Sequence, residues 1–417
     1  MADVVVVGGG PSGLAAAAAL RRAGVTDVVV LDREPELGGI PRHSHHSGYG
    51  LRDLGRAVSG PAYARARVAR AVAAGADLRA ASTVTGWSPP LAGSAAPWFT
   101  VDVTSPAGRY QLPTRAVVLA TGCRERPRSA RLVPGGRPAG VMTTGQLQQA
   151  VYVERLPLGE RAVVVGAEHV SYSAAVTLAH AGCRVVAMTT EYPRPTSYTV
   201  FDRAARARWR FPLHPQTLVS RVLGTDRVCG VELTEIESGA TRDIACDTVV
   251  FTGDWVADHE LARRHDVVVD PASSGVVVDT GLRTSQPGVF AVGNLNHPAE
   301  TADVCALDGQ HVAQSVVSWL VGSGWPSSGV PIQAQWPLSW VSPAWVSDAA
   351  TPPRGRLVLR AETFRRAPRL RASQGGRELW SGRVPWVVPT RPVTVPAGWL
   401  AGVARDIASP PVVLSLD

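Results

Sequence analysis

Uninterrupted apolar runs recur along the first three quarters of the chain, and each stops at a glycine, an acid or a threonine. Val4-Val5-Val6-Val7 is the first. No polar position breaks it, so it predicts a parallel strand buried on both faces. It leads into Gly8-Gly9-Gly10-Pro11-Ser12-Gly13 and an alanine-rich stretch that predicts a helix. The same strand pattern returns at Val28-Val29-Val30-Leu31, Ala116-Val117-Val118-Leu119, Ala162-Val163-Val164-Val165 and Arg184-Val185-Val186-Ala187-Met188. Strands alternating with helices predict an α/β fold. Residues 321–329 are rich in glycine and serine and predict a linker. Beyond them come short β-like runs punctuated by Pro and Gly, which predict a small β-rich C-terminal domain.

Composition narrows the classes. The 417 residues suggest two or three domains, and 45% hydrophobic residues suffice for full cores. There is no lysine, so all 42 basic residues are arginine. The net charge of +8 is unevenly placed: from Thr351 onward eleven arginines face four acids, giving +7. Interleaving with apolar residues, as in Arg356-Leu357-Val358-Leu359-Arg360, fits a solvated strand face; an acidic protein partner is the other reading, and nucleic acid is disfavoured. Seven of the 12 tryptophans (325, 336, 340, 345, 380, 386, 399) lie from the linker onward. They are read as core ahead of interface, although Trp beside Arg is the usual composition of a docking surface.

Five scattered cysteines (123, 183, 229, 246, 305) form no CxxC. They fit a reducing, cytoplasmic setting and exclude a cluster held by closely spaced thiolates. The apolar start has no basic stretch before it and carries Arg21-Arg22 after it, so it is expected to be the first strand and helix, not a signal peptide. No run is long enough to span a membrane.

The segment Gly8 to Gly13 is a GxGxxG between strand and helix. Gly8 permits the tight turn, Gly10 lets the backbone approach a diphosphate, and Gly13 lets the helix lie on the strand. Phosphates would sit at the helix's positive end, beside Pro11 and Ser12. Asp32 closes the next strand, 19 residues after Gly13, where a carboxylate can accept hydrogen bonds from an adenosine ribose. A glycine motif alone is weak; strand, glycines, helix, strand and terminal acid in register are not.

Further segments carry a resemblance. Arg33-Glu34-Pro35-Glu36-Leu37-Gly38-Gly39-Ile40 looks like the double-glycine passage of flavoproteins, which points to FAD rather than NAD. Ala116 to Gly122, including Thr121, resembles the strand that closes the first FAD half in the pyridine nucleotide-disulfide reductase superfamily. Thr284-Ser285-Gln286-Pro287-Gly288-Val289-Phe290-Ala291-Val292-Gly293-Asn294 resembles its second FAD motif, with Asn294 where the family has an aspartate on the ribityl hydroxyls. The resemblance covers roughly residues 1–325. It implies two Rossmann-like nucleotide-binding domains: an FAD domain at 1–155 and 256–325, with an NAD(P)-like domain at 156–255 inserted, followed by the β-rich domain at 330–417. The FAD contacts it implies are Gly8, Gly10, Pro11, Ser12, Gly13, Asp32, Arg33, Gly39, Ile40, Thr121, Gly122, Gly293 and Asn294.

The inserted domain repeats the layout with altered residues. In Gly166-Ala167-Glu168-His169-Val170-Ser171, Glu168 takes the central glycine position and Ser171 the third. A glutamate puts bulk and negative charge where a pyrophosphate must come close. Thr189 and Thr190 stand where a ribose-binding acid or a phosphate-binding arginine is expected. NAD(P) binding is therefore doubtful, with the alternative that Glu168 turns outward and the nucleotide still binds.

No CxxxxC or CxxC redox pair is present, so thiol-disulfide chemistry is not expected. The segments around His43-Ser44-His45-His46, Ala120-Thr121-Gly122-Cys123-Arg124-Glu125-Arg126-Pro127 and Arg137 to Gly145 resemble one branch of the superfamily: alpha subunits of opine oxidase, hydrogen cyanide synthase and dye-linked amino-acid dehydrogenases. That branch implies a second flavoprotein subunit that oxidises an amine or amino acid, with electrons passing through iron-sulfur elements. The cysteine-rich terminal domain of such subunits is missing here, so an acidic iron-sulfur protein is an expected partner. His45, His46 and His297 are candidate acid-base groups or donors to a flavin, against a structural role; metal ligation is disfavoured and no metal site is expected. A helix starting near Glu300-Thr301-Ala302-Asp303 would turn its positive end towards the flavin. The leading expectation is an FAD-dependent oxidoreductase acting as a subunit on a small-molecule amine or amino acid. The alternatives are a stand-alone NAD(P)H-dependent reductase and a non-catalytic flavin-stabilised scaffold.

Overall fold

The computed structural model describes residues 1–89, 99–298, 300–326, 328–347, 351–406 and 408–417. Ser327, in the expected linker, lies outside the described residues. The all-valine run sits inside a sheet, between Val28–Leu31 on one side and Gly108–Leu119 on the other. Val4 lies opposite Val28 and Ala116, and both pairings are parallel. Asp77–Arg79 extends the sheet beyond Val28–Leu31, and Val289–Ala291 joins beside Gly108–Leu119 with Val289 opposite Val117. The five parallel strands are thus supplied by residues 2–119 and by a return segment near 290, which makes this flavin-type domain discontinuous.

Helices Pro11–Arg22 and Ala302–Leu320 pack on each other. The approach is close at Gly309, where a Cβ would stand 2.0 Å from the Ser12 carbonyl oxygen. Only a glycine fits there.

The chain forms two compact units, residues 1–42, 47–123 and 256–417 in one, and 43–46 and 124–255 in the other. The second has its own parallel sheet in the order Val141–Thr143, Thr248–Phe251, Arg161–Val165, Arg184–Thr189, Leu213–His214. Strand alternation divides its apolar residues. Ala162 and Val164 meet Ala174, Ala175 and Leu178 of helix His169–His180, while Val163 and Ala187 meet Val219, Val222 and Val231 of an antiparallel three-stranded sheet. The unit reaches back to Arg124, beyond the expected start at 156, because Val141–Thr143 hydrogen-bonds to Thr248–Phe251 and so belongs to this sheet.

The C-terminal strands form a five-stranded and a three-stranded sheet around one apolar core that includes Leu357, Leu359, Leu370, Val395 and Leu414. They group with the flavin-type domain, to which Ala344 N–H donates at the Val278 carbonyl and Thr280 N–H at the Trp345 carbonyl. The fold is α/β with two Rossmann-like domains and a β-rich C-terminal part. The tryptophans divide: Trp340 and Trp399 are buried, whereas Trp336, Trp345 and Trp386 are exposed, so the core reading holds for only part of the set. Among the described residues no helix is long and apolar enough to cross a membrane.

Gly309→Val is expected to lower the stability of the flavin-type domain by about 1–3 kcal/mol through overpacking. Chemical denaturation followed by tryptophan fluorescence measures it, and an unchanged midpoint would refute the close contact.

Candidate functional site

The first glycine turn forms because three positions tolerate nothing larger or need special backbone. Gly8 has φ +111°, and a Cβ there would lie 2.4 Å from the Ala120 carbonyl oxygen. A Cβ on Gly13 would lie 1.9 Å from the Gly8 carbonyl oxygen. Gly10 differs: its backbone is extended, and the nearest atom to an added Cβ is the Gly39 Cα at 4.0 Å. The polypeptide itself does not require a glycine there. No side chain caps helix Pro11–Arg22, so the Ser12 and Gly13 amides point at that space with the helix's positive end behind them.

Asp32 lies beside this turn. Its Oδ2 accepts the Gly9 N–H at 2.6 Å and its Oδ1 accepts the Glu34 N–H at 2.8 Å. Burial raises its pKa, while these two hydrogen bonds act in the opposite direction. Each oxygen keeps a lone pair for a ribose hydroxyl. Gly39, at φ +64°, brings the second passage against Gly10, where a Cβ would stand 2.9 Å from the Gly10 Cα. Gly293 has φ +70°, and a Cβ there would meet the Ser12 side chain at 2.8 Å. Residues far apart in the chain therefore surround one helix end: Gly8 to Gly13, Asp32, Gly39 and Gly293. Arg33 reaches Asp258 at 3.5 Å, and the Thr121 hydroxyl donates to the Asp258 carbonyl at 2.8 Å. Gly122, at φ +76°, accepts the Asp258 N–H, and Ile40 is exposed.

Asn294 has a local task. Its Nδ2 donates to the Glu300 carbonyl at 3.1 Å and its Oδ1 accepts the Glu300 N–H at 2.8 Å. It ties together the loop before helix Ala302–Leu320, and each amide atom retains capacity for one further bond.

The histidines separate. His297 is buried, and its Nε2 meets Asp308 Oδ2 at 2.9 Å. Burial pushes its pKa down, but the hydrogen bond and charge of Asp308 more than offset this and hold it above the ordinary histidine value. Arg354 Nε lies 3.8 Å from the other Asp308 oxygen, and Arg360 donates to the Pro298 carbonyl at 3.1 Å. The C-terminal part thus reaches the loop that follows Asn294. His45 and His46 belong to the second unit. His45 is exposed and stacks on Tyr152 at 4.0 Å, and the Tyr152 hydroxyl lies 2.8 Å from His180 Nδ1.

Sequence reasoning missed a buried cluster. Tyr63 and Arg67 lie four apart on helix Gly60–Ala73 and share Asp53, at 2.6 Å from the Tyr63 hydroxyl and 3.3 Å from Arg67. The Tyr63 hydroxyl is also 3.2 Å from the Ala302 carbonyl, at the amino end of helix Ala302–Leu320. Burial raises the Tyr63 pKa and lowers that of Arg67. The available signal was the i, i+4 spacing of a tyrosine and an arginine on an otherwise apolar helix face.

In the second unit the glycine turn is replaced by side-chain contacts. The Ser171 hydroxyl accepts the Glu168 N–H at 3.0 Å and lies 2.7 Å from the Thr252 hydroxyl. The Glu168 carboxyl folds against Gly253, where a Cβ would stand 2.1 Å from its Oε1. Thr189 and Thr190 are buried at the strand end.

The sequence and the fold are matched by known proteins. The family model described as pyridine nucleotide-disulphide oxidoreductase fits residues 2–309. The chain belongs to that family. It is a flavin-dependent oxidoreductase, and FAD is the cofactor that the first glycine turn fits. Among curated relatives, thioredoxin reductase of Treponema pallidum is 25% identical over 324 residues, covering 76% of this chain and 97% of the relative. The glutamate synthase [NADPH] small chain of Mycobacterium tuberculosis is 26% identical over 361 residues, covering 77% of this chain and 67% of the relative. The crystal structure of thioredoxin reductase from T. acidophilum shares the fold with a TM-score of 0.64 at 20% identity, covering 77% of this chain and 99% of that one.

Two outcomes test the site. Gly10→Val is expected to purify colourless while the flavin-free protein keeps its stability within about 0.5 kcal/mol, because the side chain enters the diphosphate's place and not the core. Full flavin content in that variant would contradict the assignment. Asp308→Ala is expected to cost about 3–5 kcal/mol by leaving His297 and Arg354 uncompensated. Because His297 is raised in the folded state, its contribution is complete below the ordinary histidine range and fades as pH rises through the raised value. A pH series of melting temperatures should show that decline in the wild type and lose it in Asp308→Asn.

Proposed function

We propose that this protein is the FAD subunit of a heteromeric amine or amino-acid dehydrogenase or oxidase, of the opine, glycine or proline type, working in the cytoplasm. In this reading the second nucleotide domain supports the fold and does not take NAD(P)H. The observation that carries it is the Glu168 carboxyl lying against Gly253 at the centre of the second turn. A diphosphate brought there would meet a like charge and lose the close backbone approach that Gly10 allows in the first site.

FAD, when bound, supplies the capacity to accept and release two electrons. The chain's own residues do the positioning. Ser12 and Gly13 would offer amides to the diphosphate and Asp32 would accept from the ribose, while Asn294 orders the loop leading to helix Ala302–Leu320. The resemblance to the alpha subunits of such complexes implies that substrate is oxidised on a separate flavoprotein subunit. A relative named as a small chain supports a role as one subunit among several. The thiols support a route without dithiols: Cys183, Cys246 and Cys305 are buried, and burial pushes the Cys183 thiol up to about 11 and the Cys246 thiol up to about 12. Thiolates are scarce there at neutral pH.

Anaerobic addition of NADH and NADPH, followed at the flavin absorbance band, tests the reading. Little or no bleaching is expected in the wild type, and Glu168→Gly is expected to raise the reduction rate at least about tenfold, the value of some 1.4 kcal/mol of relieved repulsion. Rapid stoichiometric bleaching of the wild type would instead establish a stand-alone NAD(P)H reductase. Failure of every reductant and amine, with or without partner subunits, would establish a scaffold.

A further inference from the structure

The C-terminal strands carry an unneutralised strip of arginine. Arg369–Gln374 and Arg377–Arg383 pair antiparallel with Arg369 directly opposite Arg383. The short ladder of Arg365–Arg366 with Trp386–Val387 continues the same two strands, placing Arg366 opposite Trp386. Alternation buries Leu370 and Ala372 and leaves Arg369 and Arg371 on the solvent face. Directly opposed residues share a face, so Arg369 and Arg383 stand side by side in water.

Arg371 is balanced by Glu378 at 3.8 Å and by Asp417 at 2.7 Å. Among the described residues, Arg365, Arg366, Arg369 and Arg383 have no acidic side chain within ion-pair distance. All four are exposed. The Arg366 guanidinium lies 5.4 Å over the ring of Trp386, which is itself 54% exposed. Like charges facing each other across a ladder lower the stability of the free sheet. Carboxylates from outside would remove that repulsion, and an exposed tryptophan beside arginine provides the contact area on which protein interfaces depend.

We propose that this arginine-tryptophan strip is the docking surface for a folded protein with an acidic face. It deepens the heteromeric reading by naming the chemistry of a partner, and rests on that reading only for what the partner does. A nucleic acid fits less well. The strip has four unpaired charges on two short strands, few for a binding mode that draws on many phosphates, and Arg366 already covers one face of the only ring in the strip exposed for a base.

The test uses the full-length flavoprotein with fluorescently labelled poly-L-glutamate as the acidic probe and labelled duplex DNA as its competitor. Salt-sensitive binding of poly-L-glutamate is expected, weakened at least about tenfold in R369S/R383S, a change of some 1.4 kcal/mol. The control variant R109S/R263S, which removes two exposed arginines elsewhere, is expected to bind as the wild type does. Without any probe, R383S is expected to melt at a higher temperature than the wild type at low salt and at the same temperature at high salt. Equal loss in the strip and control variants, tighter binding of DNA than of poly-L-glutamate, or no melting gain in R383S at low salt would each overturn the proposal. All of these readouts are independent of turnover, so their failure is distinguishable from failure of the proposed reaction.

Discussion

A diphosphate can be held by backbone alone only where no Cβ intervenes, and that constraint organises the flavin-type domain. Gly8 and Gly13 are required by the polypeptide itself, since any side chain would strike a carbonyl oxygen at 2.4 Å or less. Gly10 is not required by the polypeptide, since an added Cβ there would meet nothing closer than 4.0 Å. The distinction separates the architecture of the turn from its purpose. The remaining parts follow from it: Asp32 grips the Gly9 amide, Gly39 presses on Gly10, and Gly293 and Gly309 bring the last helix against Ser12.

The second unit shows what the same topology becomes when that constraint is relaxed. Its parallel strands and its helix His169–His180 are retained, because Ala162, Val164, Ala174, Ala175 and Leu178 still bury one another. The turn between them is no longer bare. Ser171 and Thr252 join hydroxyls where the first site has a glycine against a carbonyl, and a carboxylate fills the space beside Gly253. Packing of strand against helix needs only apolar volume, which these substitutions leave in place.

Buried charge ties the distant parts of the first unit together. Asp308 binds His297 from the loop after Asn294 and is approached by Arg354 from the C-terminal strands. Asp53 serves Tyr63 and Arg67 next to the amino end of helix Ala302–Leu320. A buried charge left without its partner is costly, so each such cluster demands the arrangement that completes it. The β-rich part is thereby more than an appendage, since it supplies Arg354 and Arg360 to the segment that follows the second flavin motif.

The α/β class, the first glycine turn, Asp32 and the altered second turn were all legible in the residues, because each depends on contacts within about thirty residues or on a motif whose spacing encodes its geometry. The start of the last helix was legible for the same local reason. Other features required the folded chain. His297 is an ordinary polar residue until Asp308 and the C-terminal strands enclose it, and Asp53 gains its meaning only from a helix seven residues further on, whose Tyr63 hydroxyl reaches the amino end of helix Ala302–Leu320. The division of the tryptophans and the facing of Arg369 and Arg383 likewise depend on strand register, which no local pattern specifies. Sequence alone determined where a glycine turn joins strand to helix and where side chains replace its glycines, since that rests on local backbone shape; tertiary structure decided which charges are paired, buried or left open, since those depend on residues hundreds of positions apart meeting in a medium of low dielectric.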